Sequence, residues 1–316
     1  MADAPSSASS AVAGFGDRLA ARVAARRSQV VLGLDPDPAR LWPNAVKLAD
    51  GDGAPAAQRA SRAVVAHCSM VIEACGEYCV AVKPQVACFE RLGAAGWAAL
   101  QEVVVRAQAH GLLVIADAKR GDIDFSADAY GQAFFGETAT PFGPVTGLGV
   151  DALTVNPLLG LDSLAPLVET ARRRSAGLFV LVRTSNPGAA DVQDLALAGE
   201  GTVSDRLAEM VTTLGADGVG AAGLSDIGAV TGATVPERLS ALRARMPYAA
   251  FLLPGVGAQG GQVEQLAPAF APGRAGGLIA ASRGIVFAHE ADDGDPAGRA
   301  AAAAMRLRDQ AWGLTG

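Results

Sequence analysis

Short runs of unbroken apolar residues recur along the chain, and between them apolar residues return every three or four positions. The runs cover 30–35, 79–83, 112–117, 152–156, 178–183, 218–222, 251–255 and 277–281. A strand with one face in water alternates, whereas a strand covered on both faces reads as continuous. Eight such runs predict parallel strands, and amphipathic stretches such as 96–110 and 163–174 predict the helices that cross over between them. Eight alternations without a break in composition predict an α/β fold, a single (β/α)8 barrel of the TIM type.

The barrel domain is expected over 14–316, after a short disordered tail at 1–13 whose residues are small and polar. An N-terminal extension follows the tail, with a helix from about Gly16 to Arg27, and a last helix runs from about Ala297 to Trp312. Gly- and Pro-rich segments at 135–149 and 199–204 read as insertions. The long stretch 257–277 reads as a mobile loop over a site.

Polar residues appear at one repeated place, the end of a run or just beyond it. They are Asp35, Lys83, Asp117 with Lys119, Asn156, Thr184 with Ser185, Gln259 and Arg283. In such a barrel all of them gather at the C-terminal rim, the end that carries sites. Each alone would be an ordinary strand terminus.

Composition then sharpens the choice among them. Of 26 basic residues in 316, lysine occurs only at Lys47, Lys83 and Lys119. A surface cation can be Arg or Lys, so a retained lysine is a candidate for a place where Arg will not serve. A net charge of -6 gives no diffuse basic field, and the one dense run, Arg172-Arg173-Arg174, ends a helical pattern where cations suit the dipole, so nucleic acid is not an expected partner.

Cys68, Cys75, Cys79 and Cys88 form no Cys-x-x-Cys pair, and His67 beside them reads as packing, which predicts buried thiols in a reducing, cytoplasmic compartment. No apolar run approaches the length of a membrane span. Residues 1–13 do not read as a secretory signal; Arg22, Arg26 and Arg27 would suit a transit peptide, but Asp3 and Asp17 oppose it.

The densest chemistry is Ile115-Ala-Asp117-Ala-Lys119-Arg-Gly-Asp122-Ile123. With Lys83 and Asp35 it builds an alternating set of ammonium and carboxylate groups. A structural salt-bridge cluster would read the same way, but two of the three lysines fall here. The segment 253–261 contains a literal Gly-x-Gly-x-x-Gly, yet it follows the seventh run rather than the first, where a dinucleotide fingerprint belongs. It reads better as a loop whose N–H groups approach an anion, paired with Arg283; merely flexible loops are the plainer alternative. Thr184-Ser185-Asn186-Pro187-Gly188 is either a turn or a polar platform for a planar ligand. The three histidines, His67, His110 and His289, sit at no strand end, which disfavours histidine acid–base chemistry and most transition-metal sites.

The segment Asp117 to Ile123 resembles the Asp-x-Lys-x-x-Asp signature of the orotidine 5'-phosphate decarboxylase family, and Pro254-Gly-Val-Gly-Ala-Gln259-Gly-Gly resembles its phosphate loop. The likeness runs in order from Asp35 through Lys83, the Ser185 turn and Arg283, over essentially the whole barrel. Its length and insertions resemble the longer bacterial branch; segments 47–54 and 135–149, and Asn156-Pro157, depart from the shorter form.

The resemblance implies decarboxylation of orotidine 5'-monophosphate to UMP with no cofactor and no metal. Lys119 would stabilise and protonate the carbanion, Asp117 would lie against the substrate carboxylate, and Lys83 with Asp122 would complete the network. Asp35 and Lys83 would hold ribose hydroxyls, Ser185 the pyrimidine edge, and Gln259 with Arg283 the phosphate. Asp122, Ile123 and Ser126 would reach a neighbouring subunit's site, so a homodimer with shared active sites is implied. Metal-dependent aldolases and epimerases of the same superfamily share the signature but hold magnesium and tend to use a His. A non-catalytic phosphate-binding barrel would not need Lys119 between two acids.

Overall fold

The computed structural model describes residues 13–50, 53–257, 259–291 and 294–314, so the expected tail at 1–13 lies, apart from Ala13, outside the described residues. Eight parallel strands close into a barrel: β1 (Val30–Leu34), β2 (Ala81–Pro84), β3 (Leu113–Arg120), β4 (Ala152–Val155), β5 (Gly177–Arg183), β6 (Ile227–Thr231), β7 (Phe251–Pro254) and β8 (Gly277–Ala281). Neighbours pair in chain order, and β8 closes on β1 with Val30 opposite Ile279. The expected (β/α)8 architecture is present.

The sixth strand lies elsewhere than expected. Residues 218–222 are not a strand but a tight loop, in which Val219 bridges Ser225 antiparallel and the Gly220 N–H donates to the Leu224 carbonyl at 2.9 Å. Gly218, Gly220 and Gly223 provide the turn, whereas Ile227–Thr231, with its β-branched residues, is buried throughout. A run of Gly and Ala with a single Val satisfies the hydrophobic criterion without enough of the side chains that pack a pleated sheet.

Side-chain direction alternates along each strand and divides the core in two. Val30, Leu32, Val82, Val114, Ala116, Leu153, Val155 and Leu253 pack outward against the helices. Val31, Ala81, Leu113, Ile115, Ala152, Phe179, Val230, Leu252 and Leu278 fill the barrel interior. The helix Phe15–Arg26 plugs the N-terminal end of that interior with Phe15, Leu19 and Val23, and Phe15 meets Phe179 edge to face at 5.9 Å. The extension before β1 therefore closes the bottom and leaves the top open.

The insertion at 135–149 carries a small antiparallel ribbon, Glu137–Thr138 against Val145–Thr146. Of the stretch 257–277, much is a packed 3-10 helix, Val263–Phe270, with Leu266, Ala269 and Phe270 buried. The last helix is Pro296–Gly313. Among the described residues no helix is long and apolar enough to cross a membrane. Cys68, Cys75, Cys79 and Cys88 are free thiols; the first three are buried, and burial pushes the Cys75 thiol up to about 12.

Candidate active site

The inward-facing positions of the strands continue upward into the charged rim. Two residues beyond Ala81 comes Lys83, two beyond Ile115 comes Asp117, and two beyond Ala152 comes Thr154. All three line one cavity of about 640 Å³, together with Asp35, Lys119, Asn156, Ser185, Gln259 and Arg283. Leu181, Val192, Val230 and Leu252 give the same cavity an apolar wall, and no histidine lines it.

Asp117 is the centre of the charged end. It is buried, and its two oxygens accept from four side chains. Oδ2 takes Lys83 Nζ at 2.5 Å and Gln85 Nε2 at 3.2 Å; Oδ1 takes Lys119 Nζ and the Thr154 hydroxyl, the latter at 3.0 Å. Burial alone would raise the Asp117 carboxyl, but the Lys83 and Lys119 ammonium groups outweigh it and hold the acid at about 2. For Lys83, burial opposes the charge and the Asp117 and Asp35 carboxylates overcome it, so its pKa lies above the ordinary lysine value. At neutral pH both members of the Lys83–Asp117 pair are therefore charged.

Lys119 differs from Lys83 in access and in backbone. Its side chain is 45% exposed against 10% for Lys83. It also has a φ of +48°, a left-handed conformation that residues with a Cβ rarely adopt. The cause is a break in strand pairing: Ala116 faces Leu153 and Arg120 faces Val155, four steps on β3 against two on β4. Just past it, a Cβ on Gly121 would come within 2.8 Å of the Asn156 carbonyl, which explains a glycine between Lys119 and Asp122.

At the opposite end of the cavity Gly255, with φ +104°, turns the chain out of β7 into the loop that carries Gln259. Arg283 opens the short helix Arg283–Val286, and both it and Gln259 are exposed. That helix is fixed from below by Trp42, whose indole N–H donates to the Val286 carbonyl at 3.1 Å while its backbone N–H donates to His67 Nδ1 at 3.1 Å. Burial, with His289 adding to it, pushes His67 down to about 4, so it stays neutral under the tryptophan.

Three expected site residues are not brought into this chain's own cavity. Asp122 lies on the rim, with Oδ1 accepting from the Ile123 N–H at 2.8 Å, and Ile123 and Ser126 are exposed beside it. Asn156 does line the cavity, but its Oδ1 accepts from the Leu158 N–H at 3.0 Å and so shapes a turn. Gln85 and Thr154 were not singled out by the sequence. Alternation points to both: Thr154 is two residues past Ala152 on β4, and Gln85 is two past Lys83, just beyond the end of β2, where it bridges Asp117.

Fold and site together define a (β/α)8-barrel enzyme whose charged centre lies at the C-terminal rim. The chain belongs to the orotidine 5'-phosphate decarboxylase / HUMPS family, whose model matches residues 28–294. It is 42% identical to an orotidine 5'-phosphate decarboxylase of Rhodopirellula baltica over 88% of this chain and 90% of that protein. With the enzyme of the same description from Deinococcus radiodurans it shares 41% identity, over 96% and 98% of the two chains. Among solved structures it is similar to the Leishmania donovani OMP decarboxylase, with a TM-score of 0.67 at 32% identity, covering 95% of this chain and 98% of that one.

Proposed function

We propose that this chain removes carbon dioxide from orotidine 5'-monophosphate to give UMP, the last step of de novo pyrimidine nucleotide synthesis, without metal or cofactor. The observation that carries the reading is the Asp117 carboxylate gripped by Lys83 and Lys119 at the buried end of a cavity whose exposed side holds Gln259 and Arg283. When the C6–carboxylate bond breaks, its electron pair stays on pyrimidine C6, and carbon dioxide leaves. The Lys119 ammonium stabilises that pair and then gives C6 a proton, which water restores. Arg does not give up its proton in a protein and could not do this.

Asp117 crowds the substrate carboxylate, a repulsion relieved as carbon dioxide departs. Asp35 and Lys83 hold the ribose hydroxyls, Ser185 the pyrimidine edge, and Gln259 with the Arg283 guanidinium the phosphate. A cavity lining without histidine supports this reading over the sugar-phosphate aldolase or epimerase chemistry that shares the signature. Loss of orotidine 5'-monophosphate absorbance, followed on the purified chain with and without EDTA, tests it. Equal turnover in both supports it; no turnover, or turnover abolished by the chelator, overturns it.

The site is completed by a second copy of the chain, in a homodimer where Asp122, Ile123 and Ser126 enter the neighbour's cavity. Their position on the rim outside their own cavity supports this, as does the exposure of Ile123 and of Phe125, which is 85% accessible. Mixing inactive Lys119→Ala and Asp122→Ala chains under conditions that exchange subunits is expected to restore about a quarter of the wild-type sites. No restoration counts against shared sites. The free, largely buried thiols support a reducing, cytoplasmic setting.

A further inference from the structure

The proton donor of the proposed reaction sits on an unfavourable backbone, and something must hold it there. Because β3 breaks its pairing with β4 between Ala116 and Arg120, the Lys119 N–H has no ladder carbonyl to bond. It donates instead to Thr154 Oγ1 at 2.9 Å. The same hydroxyl donates its own hydrogen to Asp117 Oδ1 at 3.0 Å. Thr154 is 1% exposed, and its bond to Asp117 is buried, shielded from competing water.

We propose that Thr154 is a positioning residue for decarboxylation, one hydroxyl that fixes the left-handed backbone of Lys119 and the rotamer of Asp117 together. The inference rests on the decarboxylase reading. Thr154 is given no part in the chemistry at C6; it acts through Lys119 and Asp117, the two residues its hydroxyl bonds. Its place is set by strand alternation, since Ala152 and Thr154 point into the barrel while Leu153 and Val155 pack outward. A hydroxyl is required because the position must accept one hydrogen bond and donate another, and only a side chain with both capacities serves both neighbours. Valine has nearly the same shape and neither capacity.

Removing the hydroxyl takes the partner from the part-buried Lys119 N–H and frees one side of Asp117, so Lys119 relaxes from its reactive placement. The proposed phosphate contacts, Gln259 and Arg283, have no hydrogen bond to this network among the described residues, and Lys83 keeps its own bond to Asp117 Oδ2. Displacements of this kind cost on the order of 10- to 100-fold in rate.

The test is steady-state kinetics on orotidine 5'-monophosphate with the full chain as wild type, Thr154→Val and Thr154→Ser, alongside thermal unfolding. In Thr154→Val, kcat is expected to fall by about 10- to 100-fold while KM moves less than about threefold. Thr154→Ser, which restores the hydroxyl, is expected to recover kcat to within about threefold of wild type. An active wild type with an unchanged kcat in Thr154→Val overturns the positioning role alone. So does a loss confined to KM, or a serine variant as slow as the valine one. An inactive wild type overturns the decarboxylase reading and this inference with it. If the valine variant does not fold, Thr154→Ala is compared with Thr154→Ser on the same criteria.

Discussion

The two ends of this barrel bury charge in opposite ways. At the N-terminal end the carboxylates meet arginines: Asp151 accepts from Arg18 and from the Val114 N–H, and Asp226 accepts from Arg172 Nε at 2.7 Å and Nη2 at 3.2 Å. Arg243 meets no carboxylate among the described residues but donates to the carbonyls of Met246, Ala249, Ala269 and Gly276 at 2.6 to 2.9 Å, with its guanidinium over the Phe251 ring. At the C-terminal end the buried carboxylate meets two lysines, and one of them is half open to the cavity on a strained backbone.

The bottom uses the rigid guanidinium fork to saturate buried acceptors and tie helices and loops to strand starts. The top uses a compact ammonium that can be aimed and deprotonated. Of the three lysines among 26 basic residues, two line the cavity.

The sharpest way to break the contrast is Lys119→Ala. Losing both the charge and the proton donor is expected to lower kcat/KM for orotidine 5'-monophosphate by on the order of 10⁵-fold, with the unfolding midpoint little changed. Near-normal turnover would sink the role assigned to the rim. Arg243→Met addresses the other end. It strands four buried carbonyls, so unfolding free energy should drop by about 3 kcal/mol or more while kcat of the folded fraction holds. A fall in kcat with unchanged stability would show that the bottom is not simply structural. Burial pulls the Arg243 pKa down to about 10, still well above neutral, so its charge persists at the pH of such an assay.

A smaller effect is expected in acid. Folding holds the Asp117 carboxyl at about 2, below its unfolded value of about 3.9. A depressed pKa adds stability that is complete above the unfolded value and fades as pH falls toward 2. Asp117→Asn should therefore lose less unfolding free energy between pH 6 and pH 3 than wild type, measured by denaturant titration at each pH. Equal losses in both would contradict the ion-pair account. Smallest of all, Lys47→Arg should be silent in rate and stability, because Lys47 is exposed and lies outside the cavity.

Much of the site was legible in the sequence, because a strand's period of two and a barrel's single functional rim send the residues after each apolar run to one place. Asp35, Lys83, Asp117, Lys119, Ser185, Gln259 and Arg283 do line one cavity. Gln85 and Thr154 were not singled out because an amide and a hydroxyl at strand ends are common; their meaning comes from the carboxylate they reach across two neighbouring strands. The sixth strand was misplaced because apolar content does not separate a Gly-rich turn from a sheet.

By itself the sequence determined the alternation, the (β/α)8 architecture and the residues that face the barrel mouth, since these follow from local backbone geometry repeated along the chain. Only the tertiary structure decided that β3 slips against β4 so that Lys119 turns left-handed, and that one carboxylate gathers four donors. Those facts depend on pairing register between segments far apart in sequence, and register is set by closure of the whole barrel rather than by any one run.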